Sequence, residues 1–175
     1  MNLESKLRVN PWPQTGAGDV LFILDARNHF EEDILRQWVA RHAREDGREY
    51  KQICLSLADD RDGIDSAPLV SDLATDADTT VAPLRITWLP SEEAINSGPR
   101  LRDFLFGDPR RPNPKRGKQI LEKSPSRMHL IVGQPDSLEN LRGRYRHKYA
   151  VEPESAPQSF AKFTARQAGI VLDIG

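Results

Sequence analysis

Residues 19–25, Asp19-Val20-Leu21-Phe22-Ile23-Leu24-Asp25, form an apolar run closed by an acid. A strand without polar alternation is buried on both faces, so layers must cover it on both sides. Asn28 and Glu31 come next, a helix N-cap and its partner at the third helical position. Phe30, Ile34, Leu35, Trp38, Val39 and His42 then recur at helical spacing, which predicts a helix over about residues 29–45, stopped at Gly47. Residues 52–57 read as a second buried strand. Strand, helix and strand with short connections imply parallel neighbours joined by a right-handed crossover.

Further along, residues 58–79 are acidic and poor in large apolar side chains, which predicts a surface loop with one weak helical turn near 68–73. Residues 80–89 alternate, with Leu84, Ile86 and Trp88 on one face, as a third strand does. Pro83 within it argues for a strand start or an edge. A short helix is expected at 101–106, then a proline-stapled turn through 107–114 and a helix over 115–123. Residues 127–133 give a fourth strand, and Ser137 caps a helix over 138–149. A last helix from about residue 158 carries Phe160, Phe163, Ile170, Val171 and Ile174 as an apolar stripe. It is still amphipathic at Gly175, and more protein is expected after it.

The fold class expected is α/β: a mostly parallel sheet of about four strands flanked by helices, with a C-terminal helical extension. The domain plan is a loose arm over 1–17, an α/β domain over 18–150, and a linker with a helix over 151–175 leading to a further, catalytic domain. At 175 residues the chain makes one ordinary domain. No apolar run approaches the ~20 residues of a bilayer span, and the N-terminus lacks a signal-peptide core, so a cytoplasmic chain is expected. Cys54 alone makes no disulfide and no cysteine metal cluster. No cofactor is expected.

The net charge of −1 hides an asymmetry. Residues 1–79 carry nine Lys+Arg against sixteen Asp+Glu, and residues 80–175 carry sixteen against ten. Either the basic half meets phosphate, an anionic surface or an acidic partner, or the halves neutralise each other. Arg110, Arg111, Lys115, Arg116 and Lys118 gather at a rigid turn opening a helix, where free backbone N–H groups assist anion binding. Arg142 with Arg146, and Arg144 with Lys148, form two rows of like charge that call for something negative opposite. The alternative is a solvated basic face. Tyr145 and Tyr149 carry no nucleic-acid module signature, and no nucleic acid is expected.

Catalytic signals are absent from the sequence. There is no phosphate loop, dinucleotide fingerprint or GxSxG elbow, and no histidine pair stands at metal-ligand spacing. His29 reads as part of a helix start, His42 as packing, and Cys54 as a small core residue.

Residues 81–90 (VAPLRITWLP) and 105–112 (LFGDPRRP) resemble the N-terminal region of bacterial glycerol-3-phosphate acyltransferases of the actinobacterial PlsB type. The likeness runs collinearly on through 118–121 (KQIL), 132–135 (VGQP), 138–142 (LENLR) and 160–167 (FAKFTARQ). The resemblance implies acyl transfer from an acyl thioester to glycerol 3-phosphate, the first step of phospholipid synthesis. It rests there on a His-x-x-x-x-Asp pair. His29 and His42 have Asp at the fourth following residue, His129 has Gln134 at the fifth, and His147 has Glu152. No catalytic residue therefore carries over. The expectation is a non-catalytic leading domain that packs on the catalytic domain of the same parent chain. It would also dock peripherally at the anionic inner face of the cell membrane through Arg110, Arg111, Lys115, Arg116, Arg142 and Arg146. Acyl thioester and glycerol 3-phosphate would be met only by the other domain. The alternative is a free-standing α/β module binding a phosphorylated ligand or a protein, with a pocket at the C-terminal ends of the parallel strands.

Overall fold

All six residues of β1 (Val20–Asp25) are buried, and the chain supplies a helical layer on each side of them. The computed structural model describes residues 18–47, 49–57, 63–75, 78–90 and 111–174. The expected arm over 1–17, the short helix at 101–106 and Arg110 lie outside these. β1 is flanked by β2 (Tyr50–Leu55) and β3 (Thr80–Trp88), both parallel to it. β4 (Met128–Val132) runs antiparallel on the far side of β3, giving the order β2-β1-β3-β4. A two-residue strand, β5 (Asp136–Ser137), pairs with the start of β3. The fold is α/β, with a mixed five-stranded sheet flanked by helices.

Alternation sorts the side chains onto two faces. Val20, Phe22 and Leu24 join Ala82, Leu84, Ile86 and Trp88 under α1 (His29–Asp46) and α3 (Pro114–Lys123). Leu21 and Ile23 join Ile53, Leu55 and Val81 on the other face. That face is covered by α2 (Leu69–Leu73), α4 (Leu138–Tyr149) and α5 (Pro157–Ile174). Each fully buried large apolar side chain contributes about 1.5–3 kcal/mol.

The caps work as their residues indicate. Asn28 Oδ1 accepts from Glu31 N at 3.1 Å, and Ser137 Oγ accepts from Asn140 N at 3.1 Å. The Glu31 carboxylate, itself buried, turns back to accept from Arg27 N and reaches across to Trp88 Nε1 at 2.8 Å. Gly47 ends α1 in the left-handed region at φ 72°, a conformation that favours glycine.

Three expectations change. β2 begins at Tyr50, two residues early, and ends at Leu55, because Leu57 N leaves the ladder to donate to Asp25 Oδ1 at 2.8 Å. The fourth strand, for which no direction was expected, is antiparallel, and the sheet is mostly parallel as expected. Pro83 sits mid-strand in a central strand, opposite Ile23. Its carbonyl accepts from Gly133 N at 2.9 Å, and a strand residue's N and C=O face the same side. The missing donor therefore falls where β4 has ended and β5 has not begun, and the ladder to β1 stays whole. Finally, α5 lies back against the sheet with Phe160, Phe163, Ala165, Ala168 and Leu172 buried. Its outer residues Ile170 and Ile174 are exposed, so only part of the expected stripe faces the core.

One charged cluster enters this interior. Arg85 Nε donates to Asp25 Oδ2, and Arg85 Nη1 donates to Asp173 Oδ1 at 2.7 Å, joining β1, β3 and the last turn of α5. Burial by itself lowers the arginine pKa, but the hydrogen bond to Asp173 and the charge of Asp25 outweigh it and raise it overall. Replacing Arg85 by Met keeps the volume and leaves Asp25 buried without its cation. Chemical denaturation should then show a loss of about 3–5 kcal/mol. A loss below about 1 kcal/mol would show that Asp25 does not depend on this partner.

Candidate functional site

The residues that sequence reading singled out divide between opposite faces of the sheet. Arg111 is exposed just before α3, and on its first turn Lys115 is exposed and Arg116 partly buried, on the α1 side. Arg142 and Arg146 lie on α4, on the other side. They do not form one continuous surface. Asn113 Oδ1 accepts from Arg116 N at 2.9 Å and so caps α3.

The α4 cations meet carboxylates and carbonyls of their own chain. Arg142 Nη2 donates to Leu73 O and Thr75 O, tying α4 to the end of α2. Arg146 pairs with Glu139 at 3.0 Å and Glu152 at 3.6 Å, and Arg144 pairs with Asp136. Arg142, Arg144 and Arg146 thus meet negative partners within the fold, and Lys148 lies over the Tyr149 ring, 5.3 Å from its centroid.

The histidines and the cysteine show no catalytic pairing among the described residues. His29 has a fully exposed side chain 3.5 Å from Glu32, while His42 stacks on Trp38 with ring centroids 4.2 Å apart. His129 Nε2 lies 3.1 Å from Ser126 O, and His147 is exposed on α4. Cys54 is half-buried in β2. Burial and the nearby charge of Glu32 push its thiol up to about 11.

A concave feature among the described residues lies on the α5 face, at the start of β3. Val81 and Pro83, alternate residues of β3, form its floor. The turn after β4 brings Gln134 and Pro135 over one side, and Asp136 of β5 follows directly. Asn140, Leu141 and Arg144 come from one face of α4. Thr164, Gln167, Ala168 and Val171, spaced as one face of a helix, come from α5. The cavity is about 400 Å³, within the ~300–1,000 Å³ usual for small-molecule sites.

Gly133 makes the close approach possible at its edge. A Cβ there would stand 2.9 Å from Pro83 Cγ and 3.0 Å from Val171 Cγ2, so a larger residue would push α5 off the turn. The charges within the lining are matched. Asp136 Oδ2 accepts from Arg144, and Asp136 Oδ1 accepts from Asn140 Nδ2 at 3.0 Å. Three side-chain amides, Gln134, Asn140 and Gln167, and the hydroxyl of Thr164 complete the polar lining. The lining contains no cysteine, histidine or serine; its ionisable groups are Asp136 and Arg144 and its hydroxyl is that of Thr164.

Of the basic residues read from the sequence, Arg144 lines this cavity, and it does so in an ion pair. The other lining residues carried no signal, because amides and small apolar residues have no diagnostic spacing. Among the described residues no group of His, Cys, Asp and Glu could hold a metal ion, and no helix is long and apolar enough to cross a membrane. No family model matches the chain, and no solved structure matches it.

The raised thiol pKa of Cys54 has two measurable consequences. Thiolate formation is disfavoured in the folded state, so alkylation by iodoacetamide at pH 8 should be at least about tenfold slower folded than in denaturant. The contribution to stability is fully present below the unfolded value near 9 and is lost as pH rises through about 11. Cys54→Ala should flatten that alkaline decline. Equal alkylation rates in both states would contradict the burial of the thiol.

Proposed function

We propose that this chain is a non-catalytic α/β binding module that holds a small ligand between β3, α4 and α5. The observation that carries the reading is the cavity itself: an apolar floor, three amides and a hydroxyl, and an internally balanced ion pair. Sites of this kind bury a ligand's apolar body and fix its orientation with few polar contacts. Ala168 is buried in the α5 wall, and a bulky side chain there occupies the cavity. Two-dimensional amide NMR with small neutral and anionic probes should give saturable shifts at Val81, Leu141 and Ala168. Ala168→Phe should abolish them. Shifts confined to other residues would refute the reading.

The collinear likeness of residues 81–167 to the leading region of glycerol-3-phosphate acyltransferases supports a second reading. In it the module is an accessory domain that packs on the acyltransferase domain and docks at an anionic inner membrane face. In this reading the contact would be made by Arg111 and Lys115, cations exposed at the head of α3. A basic residue near an anionic leaflet contributes about 1 kcal/mol, or about fivefold in partition. Co-sedimentation with phosphatidylglycerol vesicles should therefore fall about fivefold for each of Arg111→Ala and Lys115→Ala. Unchanged partition in both variants would remove the membrane role.

A further inference from the structure

We infer that the cavity takes an uncharged aliphatic ligand bearing amide or hydroxyl groups, and not a phosphorylated one; this rests on the binding-module reading above. Charge is the first argument. Arg144 is the cation of the lining and Asp136 its anion, and they are in direct contact. A phosphate or carboxylate drawn to Arg144 would share that cation with Asp136 and sit beside its carboxylate, whose repulsion offsets the attraction. Charge-assisted recognition of such groups needs cations left open to them.

The shape and polarity of the walls supply the second argument. No Phe, Tyr or Trp lines the cavity, so a flat heteroaromatic ring finds no stacking partner there. Val81, Pro83, Leu141 and Val171 offer aliphatic surface instead. Each of the amides of Gln134, Asn140 and Gln167 presents both a donor and an acceptor, which is the complement of an amide or a hydroxyl.

Thr164 is the third argument and an independent one. It lies in the α5 wall, 1% exposed, and its Oγ1 has no hydrogen-bond partner among the described residues. A buried hydroxyl without a partner is destabilising, and most such groups in folded proteins are satisfied. With a small shift of the wall that uncovers this oxygen, a ligand carbonyl or hydroxyl seated against α5 makes the bond that the chain itself does not make. The side chain thus trades folding stability for recognition.

The test uses the full chain and four probes: N-acetyl-leucine methylamide, N-acetyl-leucine, N-acetyl-tryptophan amide and inorganic phosphate. The neutral leucine probe should shift the amides of Val81, Leu141 and Ala168 at a Kd about tenfold or more below those of the other three. Thr164→Val, which keeps shape and removes the hydroxyl, should weaken that probe about tenfold while raising Tm by about 2–4 °C. Gln167→Leu, at a partly exposed position, gives the same readout if Thr164→Val fails to fold. Tighter or equal binding of N-acetyl-leucine or phosphate at the same residues overturns this inference and leaves the binding module standing. An aromatic probe that binds best does the same. Absence of shifts at the cavity with all four probes removes both. Unchanged affinity in Thr164→Val and Gln167→Leu together would take the polar wall out of the recognition.

Discussion

Arg85 is held by two carboxylates, and the position of α5 depends on it. A guanidinium in the interior has to be paired, because an unpaired buried charge is far more costly than any single packing defect. Asp25, at the end of β1, and Asp173, in the last turn of α5, supply the pair. Asp25 also accepts from Leu57 N, so the same carboxylate fixes the exit of β2. Val81, Pro83 and Arg85 are alternate residues of β3 and share the face that α5 covers. Anchoring α5 at Arg85 therefore sets Thr164, Gln167, Ala168 and Val171 against Val81 and Pro83, and the cavity is the space left between them. An apolar replacement of such a cluster can be equally stable. What the ion cluster contributes is a defined seat for the helix.

The fold was readable wherever the cause was local. Val20 to Leu24 announce a strand buried on both faces, Asn28 and Gly47 mark the ends of α1, and Ser137 marks the start of α4. What could not be read depended on distant partners. The direction of β4 follows from its pairing with β3, which no residue within 127–133 encodes. Pro83 argues for an edge by the ordinary rule. It is tolerated in a central strand because its nitrogen meets the gap between two neighbouring strands. The stripe of α5 depends on distant packing in a similar way: Thr164 and Ala168, not Ile170 and Ile174, face the sheet, together with Phe160, Phe163, Ala165 and Leu172.

The candidate site was almost wholly hidden. Its walls come from three separated stretches, near residues 81–83, 134–144 and 164–171, and each stretch alone is unremarkable. Sequence reading looks for charges and nucleophiles, and this site has neither in an open form. Arg144 was visible as a cation, but the pairing that neutralises it came from Asp136, eight residues earlier and across a turn.

The charge asymmetry between the halves resolves in a specific way. The basic residues of α4 are paired largely with carboxylates of the same half: Asp136, Glu139, Glu152 and Glu154. Among the described residues, Arg85 to Asp25 and Arg142 to the carbonyls of Leu73 and Thr75 are links that cross to the acidic half. Lys115 and Lys118 are exposed at the start of α3, on the face opposite α4 and α5. The sheet separates the two. Contact with an anionic surface at α3 would leave the α5 cavity open, and a ligand in that cavity meets a wall whose charges already cancel. A neutral ligand on one face and an anionic partner on the other are therefore compatible in one small domain.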